Sequence, residues 1–539
     1  MVVFMTDDEE SMVTGKKKKR KELGHRTTAA LPETADVVIV GSGITGAFAA
    51  RFLKQRHAES GGGGGGGSVV VLEAREACAG ATGRNGGHCQ PLLYAATPAI
   101  AEFELETFRF LRDLVKEHDI PCDWVILSGG VHAFLSKDIF DLASKGVAQL
   151  EKHHPELAAQ VKVVSPSSSS PSSGVKTKDA TTLASLRVPD VPGAILQRNA
   201  ASLWPYKLVA WVLEDLLRRF PNAEAFNLQT NTPVTAIQRQ QRQRDGPGNS
   251  ITYPWVLTTP RGRIAARQVL LATNGYTSRL LPAFADLIVP VRGQIGALLP
   301  SSSSSGSGVV PKLDHSYVFI KNGSASSWRE DYLVQRPLSS DGGGGHLIFG
   351  GGRSRARNQG VGEWRDDEVE PPVAKFLRTN LSPRPLDLQP TTTPDDSSTS
   401  SESRTRSEGG GDLEASFEWT GVMGFSRDHH AWVGAVPESL GGGDGLYMCA
   451  GYSGHGMPAA ALSARAVVEQ MVIGSEGGGD QGQKSVVGDV RKIPDEFVLS
   501  EERVRRARDY LETIQEAEAK GLAGLFPELV AAAAGGVEE

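Results

Sequence analysis

The feature that most limits the architecture of this chain is the run Gly41-Ser42-Gly43-Ile44-Thr45-Gly46. It follows an almost wholly apolar segment at 36–40 (DVVIV) and opens a helix-forming stretch at 46–56. So short an apolar run reads as a strand buried on both faces, the habit of parallel sheets. In that setting the first glycine allows a tight turn, and the second lets backbone approach a pyrophosphate. The third lets helix and strand pack closely. Ser42, Ile44 and Thr45 complete a turn whose helix N-terminus presents N–H groups and a partial positive charge to phosphates.

A dinucleotide site of this kind needs an acid about 20 residues further on, at the end of the next strand, for a ribose hydroxyl pair. Glu73 closes a second apolar run at 68–73 (SVVVLE), but 27 positions after Gly46. The seven-glycine tract at 61–67 accounts for the excess, and without it the interval is the usual one. Ala74 and Arg75, next after Glu73, are expected among the cofactor contacts, and the absence of a following basic cluster for a 2′-phosphate favours an adenosine diphosphate moiety as in FAD or NAD.

Composition bears on the same point. There are 62 glycines among 539 residues, roughly 11–12 % where about 7 % is usual. Part of the surplus sits in low-complexity tracts at 61–67, 165–174, 301–308, 339–345, 391–412, 441–443 and 475–483. Such tracts cannot pack a core, and lengthening a surface loop costs only about 0.6 kcal/mol per doubling. They read as expanded loops on a compact body. Between them the chain opens as βαβ, departs, returns near 234–237 and 268–272, becomes strand-rich from 291 to 425, and returns at 446–450. Amphipathic helices are expected at 103–118 and 208–219, and others at 459–471 and from 501 to about 520. The pattern predicts a discontinuous two-domain α/β protein, which the family resemblance carried by the later motifs implies to be a Rossmann-like FAD-binding domain with a discontinuous antiparallel-sheet substrate domain. The expected boundaries are a disordered basic tail at 1–33 and an FAD-binding domain at about 34–100, 200–290 and 415–475. The substrate domain takes about 101–199 and 291–414, and a helical extension 476–539.

Net charge is −6, from 57 basic and 63 acidic side chains, which gives no electrostatic reason to expect nucleic acid or an anionic membrane as partner. Four cysteines without a C-x-x-C pair fit neither a disulfide framework nor a zinc site, and point to a reducing compartment. MVVFMTDDEE lacks the features of a secretory signal, no run of about 18 apolar residues occurs, and the C-terminus is not a peroxisomal S-K-L address. The expectation is a cytoplasmic protein with no obligate protein partner, KKKKRK at 16–21 being either a solvated tail or a nuclear import signal.

Later glycine-rich strand ends decide between FAD and NAD. AGATGRNGGH at 79–88, Ala272-Thr273-Asn274-Gly275, and Gly451-Tyr452-Ser453-Gly454-His455-Gly456-Met457-Pro458 all follow buried runs or turns. A ligand met by the first, middle and last strand ends is long, which suits FAD. In this order, DVVIVGSGITG, EAREACAGATGRNGGH, VLLATNGY, PVRGQIG, LIFGGGR, GVMGFSRD and GLYMCAGYSGHGMP resemble the D-amino-acid-oxidase-type FAD-dependent oxidoreductases. The branch typified by γ-glutamylputrescine oxidase and its fungal relatives is the most similar. The resemblance spans about 36–471.

It implies FAD on the first βαβ unit, with a small-molecule amine held over the flavin by the second domain. It also implies hydride removal from a carbon next to nitrogen, with O2 as electron acceptor. Carried over, Gly41, Gly43 and Gly46 take the pyrophosphate and Glu73 the ribose. Ala81, Thr82, Arg84, Asn85, Gly86 and Gly87 approach the diphosphate, ribityl chain or flavin edge, and Val234 meets the adenine. Ala272, Thr273 and Asn274 flank that region. Gly451, Ser453, Gly454, His455, Gly456 and Met457 lie by the flavin pyrimidine, where a helix N-terminus near Pro458 stabilises developing negative charge.

Two departures bear on substrate and attachment. Members that oxidise amino acids carry an arginine for the substrate carboxylate in the stretch matching GVMGFS, where this chain has Met423, with Arg427 four residues on. This favours an amine lacking an adjacent carboxylate. His88 falls one position from where relatives attach flavin covalently, so FAD is expected to be non-covalent.

His455 reads either as a substrate contact and proton shuttle or as a ring that hydrogen-bonds flavin or backbone. Tyr452 and Arg427 are the other candidate catalytic residues. Trp419, Phe425 and Tyr452 fit an aromatic cavity wall or simple core packing. His429 and His430, adjacent on a strand, point to opposite faces, and no metal is expected. The alternatives are an oxidase of glycine, sarcosine or a D-amino acid with an arginine on the carboxylate, and a flavin-binding protein without turnover.

Overall fold

The computed structural model describes residues 24–59, 67–166, 181–240, 253–299, 311–324, 326–338, 344–388, 413–476 and 493–509. The chain opens with β1 (Thr34–Val40), α1 (Ile44–Glu59) and β2 (Val69–Leu72), a βαβ unit with Val37 beside Val69 and Val40 beside Leu72 in parallel register. It leaves through the two-residue β3 (His88–Cys89) and α2 (Pro98–Glu117) to lay down β4 (Gly130–Phe134), α3 (Lys137–His153), β5 (Val161–Val164) and β6 (Gly193–Gln197). Then α4 (Pro205–Arg219) returns it to β7 (Phe226–Gln229), β8 (Ala236–Arg239), β9 (Trp255–Thr259) and β10 (Gly262–Leu271). A second excursion builds β11 (Ile288–Leu299), β12 (Ser316–Lys321), β13 (Arg329–Gln335), β14 (Leu347–Gly351), α5 (Pro371–Thr379) and β15 (Glu414–Ser426). The last return is β16 (Trp432–Ala435), β17 (Leu446–Ala450), α6 (Ala460–Glu476) and α7 (Glu501–Asp509).

Two large sheets result. The first runs β8-β9-β10-β1-β2-β7, with β17 also parallel to β10 and β16 antiparallel to β17. The second runs β15-β11-β14-β13-β12-β4-β6-β5 and is antiparallel except where β12 meets β4. The expected α/β class with a discontinuous antiparallel partner is the observed one. The thirteen-residue β15 belongs to the second sheet, pairing with β11 from Ile288 to Leu299.

The alternation of strand side chains explains why the first runs are wholly apolar. Val37, Ile39, Val69 and Val71 enter one core with Phe48 of α1, Leu213 of α4 and Val467 of α6, while Val38, Val40, Val70 and Leu72 enter the other with Leu257 and Trp432. Both faces are covered, so no polar position is tolerated there.

Helix ends follow side-chain chemistry. The sequence places the start of α2 at 103, but Thr97 caps the helix by accepting from the Ile100 N–H, and Pro98 takes its first position, where a missing N–H costs nothing. Val234, expected in a strand, lies in the loop before β8. Residues 24–33 do not behave as tail: the Thr27 N–H donates to the Leu228 carbonyl (3.0 Å), the Leu228 N–H donates to Thr27 Oγ1 (3.0 Å), and Arg26 bridges to Gln229, which extends the open edge of β7. The charged C-terminal helix is described only over α7, which docks on the first domain. There Arg503 sits over the Trp432 ring (3.7 Å) and binds the Asp428 carboxylate (2.8 Å). The basic run 16–21 and most of the low-complexity tracts lie outside the described residues. Among the described residues no helix is long and apolar enough to cross a membrane.

Candidate functional site

A continuous cavity of about 1010 Å³ runs from the C-terminal edge of the first sheet to the inner face of the second. That is near the upper end for ligand sites, and such strand ends are where doubly wound sheets bind ligands.

At the first sheet, Gly41, Ser42, Gly43, Ile44 and Thr45 border the cavity, with Glu73, Ala74, Arg75, Val234, Ala272, Thr273 and Asn274 around them. Gly41 adopts φ +107°, and a Cβ on it would meet the Ala272 carbonyl at 2.6 Å. Gly46 does not face the cavity. A Cβ there would lie 1.9 Å from the Gly41 oxygen, so its glycine serves the helix–strand contact the motif requires. Glu73 Oε2 accepts from the Ser42 N–H (3.0 Å) and hydroxyl (2.7 Å), and its Oε1 accepts from the Arg75 N–H (3.0 Å). Its carboxylate is therefore fixed at the tip of β2. Thr82 Oγ1 accepts from the Ile44 N–H (3.1 Å), and Asn274 Oδ1 accepts from the Gly451 N–H (2.9 Å). Gly451 thus holds the wall from behind.

Ala81, Thr82, Arg84, Asn85 and Gly86 line the middle of the cavity, and Gly87 does not. Gly87 packs on Leu203, whose carbonyl a Cβ would meet at 1.9 Å. The Arg84 guanidinium, expected to meet the cofactor, borders the cavity and is also held by protein. Its Nε donates to the Ala79 carbonyl (2.8 Å), and one terminal nitrogen donates to those of Asp366 (2.7 Å) and Thr420 (2.9 Å). Asp366 also accepts from Arg75 (2.8 Å). This clasp ties the segment 361–370 of the second domain across the first.

Near the N-terminus of α6, Ser453, Gly454, His455, Gly456, Met457 and Pro458 border the cavity. His455 Nε2 lies 3.0 Å from Oε2 of the buried Glu104, which also accepts from the Leu92 N–H (2.8 Å). Burial alone would lower the His455 pKa, but the Glu104 carboxylate outweighs it and the net direction is upward. The Tyr452 ring faces the cavity, but its hydroxyl is bonded to Thr45 Oγ1 (2.9 Å) and Cys449 Sγ (3.0 Å) and burial pushes its pKa well up. That hydroxyl is a strut. Arg427 is not brought to the cavity either: it reaches the Arg508 carbonyl of α7 (3.4 Å), because β15 ends at Ser426 and turns toward the C-terminal segment. Met423 takes a place in the wall, as does Phe425, while Trp419 donates to the Arg84 carbonyl (2.7 Å) outside it. His429 and His430 also border the cavity, and among the described residues no metal-ligating cluster forms.

Sequence reasoning missed Gln90, Glu104, His132, Glu330, Tyr332 and Arg353, all on the wall. Only Glu104 carried a signal, as an acid on the apolar face of α2.

The FAD dependent oxidoreductase (DAO) family model matches residues 36–470. Glycine oxidase from Geobacillus kaustophilus is similar in structure with a TM-score of 0.53 at 17% identity, over 81% of this chain and 95% of that one. An L-amino acid deaminase from Proteus vulgaris gives 0.55 at 15%, over 87% and 96%. L-proline dehydrogenase from P. horikoshii gives 0.53 at 16%, over 82% and 95%. At these identities the likeness is one of fold. Among curated proteins, none matches the chain.

Proposed function

Because the chain belongs to the DAO family of FAD-dependent oxidoreductases, we propose that it oxidises a C–N bond of an amine or a γ-glutamyl-amine-like substrate, passing the electrons to O2. The cavity suits FAD on its own terms, since the cradle at Gly41 leaves no room for a Cβ and two helix N-termini open onto it. In this reading Gly41–Gly43 and the start of α1 hold the diphosphate, Glu73 the ribose and Val234 the adenine, without a covalent link. Gly454, Gly456 and Met457 hold the flavin pyrimidine, where the start of α6 favours negative charge. Bound FAD supplies the two-electron oxidant, and the product imine is hydrolysed by water. The protein's own share is to bind the amine, exclude water and hold a proton between Glu104 Oε2 and His455 Nε2.

The observation that carries the amine reading is the charge of the wall over the flavin site. Met423 stands where a carboxylate-gripping arginine is expected, and Glu104 and Glu330 are among the carboxylates that border the cavity. Arg353 favours a second reading, an amino-acid oxidase. It borders the same cavity with its guanidinium 4.8 Å from the Phe425 ring, and it replaces Arg427 as the carboxylate ligand in that case. Anaerobic bleaching of the bound flavin by a panel of amines, γ-glutamyl amines and amino acids decides. Reduction by amines supports the proposal, reduction by amino acids alone supports the second reading, and flavin that none of them bleaches overturns both in favour of a binding protein without turnover.

A further inference from the structure

The family model matches no further than residue 470, yet a later stretch of chain reaches the cavity. The segment 493–509 lies along β16: Val498 bridges to Val433 in parallel register, and the Leu499 N–H donates to the Val433 carbonyl (3.0 Å). Just before that bridge, the short turn Asp495–Phe497 brings Phe497 to the cavity wall. Phe497 is 4% exposed. Its ring meets Phe103 of α2 edge-on, with centroids 5.7 Å apart at 85°, and lies 6.2 Å from the His430 ring.

The surroundings of that ring are the substrate end of the cavity. Phe103 directly precedes Glu104, whose carboxylate holds His455. Ile100, one helical turn before Glu104, shares an apolar cluster with Ala431, Ala459, Ala460 and Phe497, and all five border the cavity. Beside the Glu104–His455 pair the wall is thus mostly short side chains with one large ring among them. That ring comes from outside the family match.

The segment is anchored at the cavity itself. Glu496 accepts from the Thr97 hydroxyl at the cap of α2 (2.9 Å). Arg503 of α7 forms a two-pronged pair with Asp428 (2.8 and 3.0 Å) and donates to the carbonyls of His430 (2.9 Å) and Ala431 (2.8 Å). Such charge-assisted bonds fix geometry as well as adding energy, and His430 and Ala431 both border the cavity. The segment therefore supplies one wall residue and sets the turn that carries two others.

We propose that segment 493–509 completes the substrate site, with Phe497 closing an apolar subsite beside the Glu104–His455 pair that takes a compact alkyl or aryl group. Alanine walls leave room for hydrocarbon, and the Phe497 ring sets where that room ends. The inference rests on the reading that this cavity takes the substrate, and it deepens that reading by naming the part of the molecule that is selected by size.

Two neutral probes, benzyl alcohol and 2-naphthalenemethanol, test it by calorimetric titration of the FAD-loaded full-length protein. Benzyl alcohol is expected to bind the unmodified protein about tenfold or more tighter, because the second fused ring has no room. In Phe497→Ala the two affinities become equal or reverse, with FAD retained. Phe497→Leu, which keeps an apolar side chain, moves the ratio the same way and carries the test should the alanine variant fail to fold. Arg508→Ala loosens the same segment at its exposed end, where Arg508 pairs with Asp286 (2.9 Å), and leaves the ratio as it was.

Equal affinity of the two probes in the unmodified protein overturns the proposal, and so does no heat from benzyl alcohol up to its solubility. A ratio that neither Phe497 variant moves overturns the role of the ring. Loss of FAD from both variants overturns it in favour of a place in the cofactor frame, and an Arg508→Ala shift as large as that of Phe497→Leu overturns it in favour of general loosening. Neither probe is an amine, so flavin that no amine bleaches sinks the proposed function while leaving this result standing.

Discussion

The two ends of the cavity are built on opposite plans. At the first sheet the polar groups are already committed to protein: Glu73 to Ser42 and Arg75, Thr82 to Ile44, Asn274 to Gly451, Arg84 to three carbonyls. What remains for a ligand there is mainly backbone, brought close by glycine. At the second sheet the wall is side chain, from segments far apart in the chain, such as Glu330, Tyr332 and Met423. A cofactor of fixed shape can be met by a fixed frame. A substrate is chosen by what it alone completes.

The hardest way to break this contrast is Gly46→Val. With even a Cβ only 1.9 Å from the Gly41 oxygen, the turn cannot keep its form, and FAD retention should fall at least about 100-fold, read from the ratio of visible to ultraviolet absorbance after gel filtration. Retention of FAD by that variant would show that the frame is less fixed than its contacts indicate. Next comes the clasp. Asp366→Ala removes the carboxylate that pairs with the half-exposed Arg75 (2.8 Å) and lies 3.3 Å from the buried Arg84 Nε, and breaking the buried pair costs about 3 kcal/mol. Urea unfolding should show a lower midpoint with an unchanged slope.

The substrate end responds in pH. The Glu104 carboxylate holds the proton on His455, so Glu104→Gln should move the inflection for that histidine in the kcat/KM profile to lower pH, with FAD still bound. The sign for stability follows. Because His455 is raised in the folded state, the pair stabilises fully below an ordinary histidine value of about 6.5 and loses that contribution as pH climbs through the raised value. A profile that does not move would remove the pair from the chemistry. The smallest effect is at the strut: Tyr452→Phe loses the bonds to Thr45 and Cys449, about 1 kcal/mol in thermal stability, with flavin reduction rates essentially kept.

How much of this was legible follows the same division. The cofactor frame could be read because its demands are local: a strand, three glycines at fixed steps and an acid at the next strand end, even with a glycine tract stretching the interval to Glu73. The order of buried runs gave the α/β class for the same reason. The substrate wall was not legible, because β3, α2, β4, β13 and β15 meet only through the topology. Nothing in the neighbours of Gln90, His132 or Glu330 marks them as inward-facing. Arg427 lies away from the cavity for a related reason. An arginine in the right motif says nothing about which carbonyls its guanidinium will find.

The long strand β15 has one more consequence. It is zipped to β11 over its length in the second sheet, while its Thr420 carbonyl takes Arg84, its Gly424 carbonyl takes the Ser453 N–H (2.8 Å) and its Ser426 N–H reaches Ser453 Oγ (3.0 Å). The two halves of the molecule are stitched along this strand by bonds at Thr420, Gly424 and Ser426. Swinging one half away from the other would unpick backbone bonds on both. The exposed Trp364, two residues from the Asp366 of the clasp, borders the cavity beside that seam.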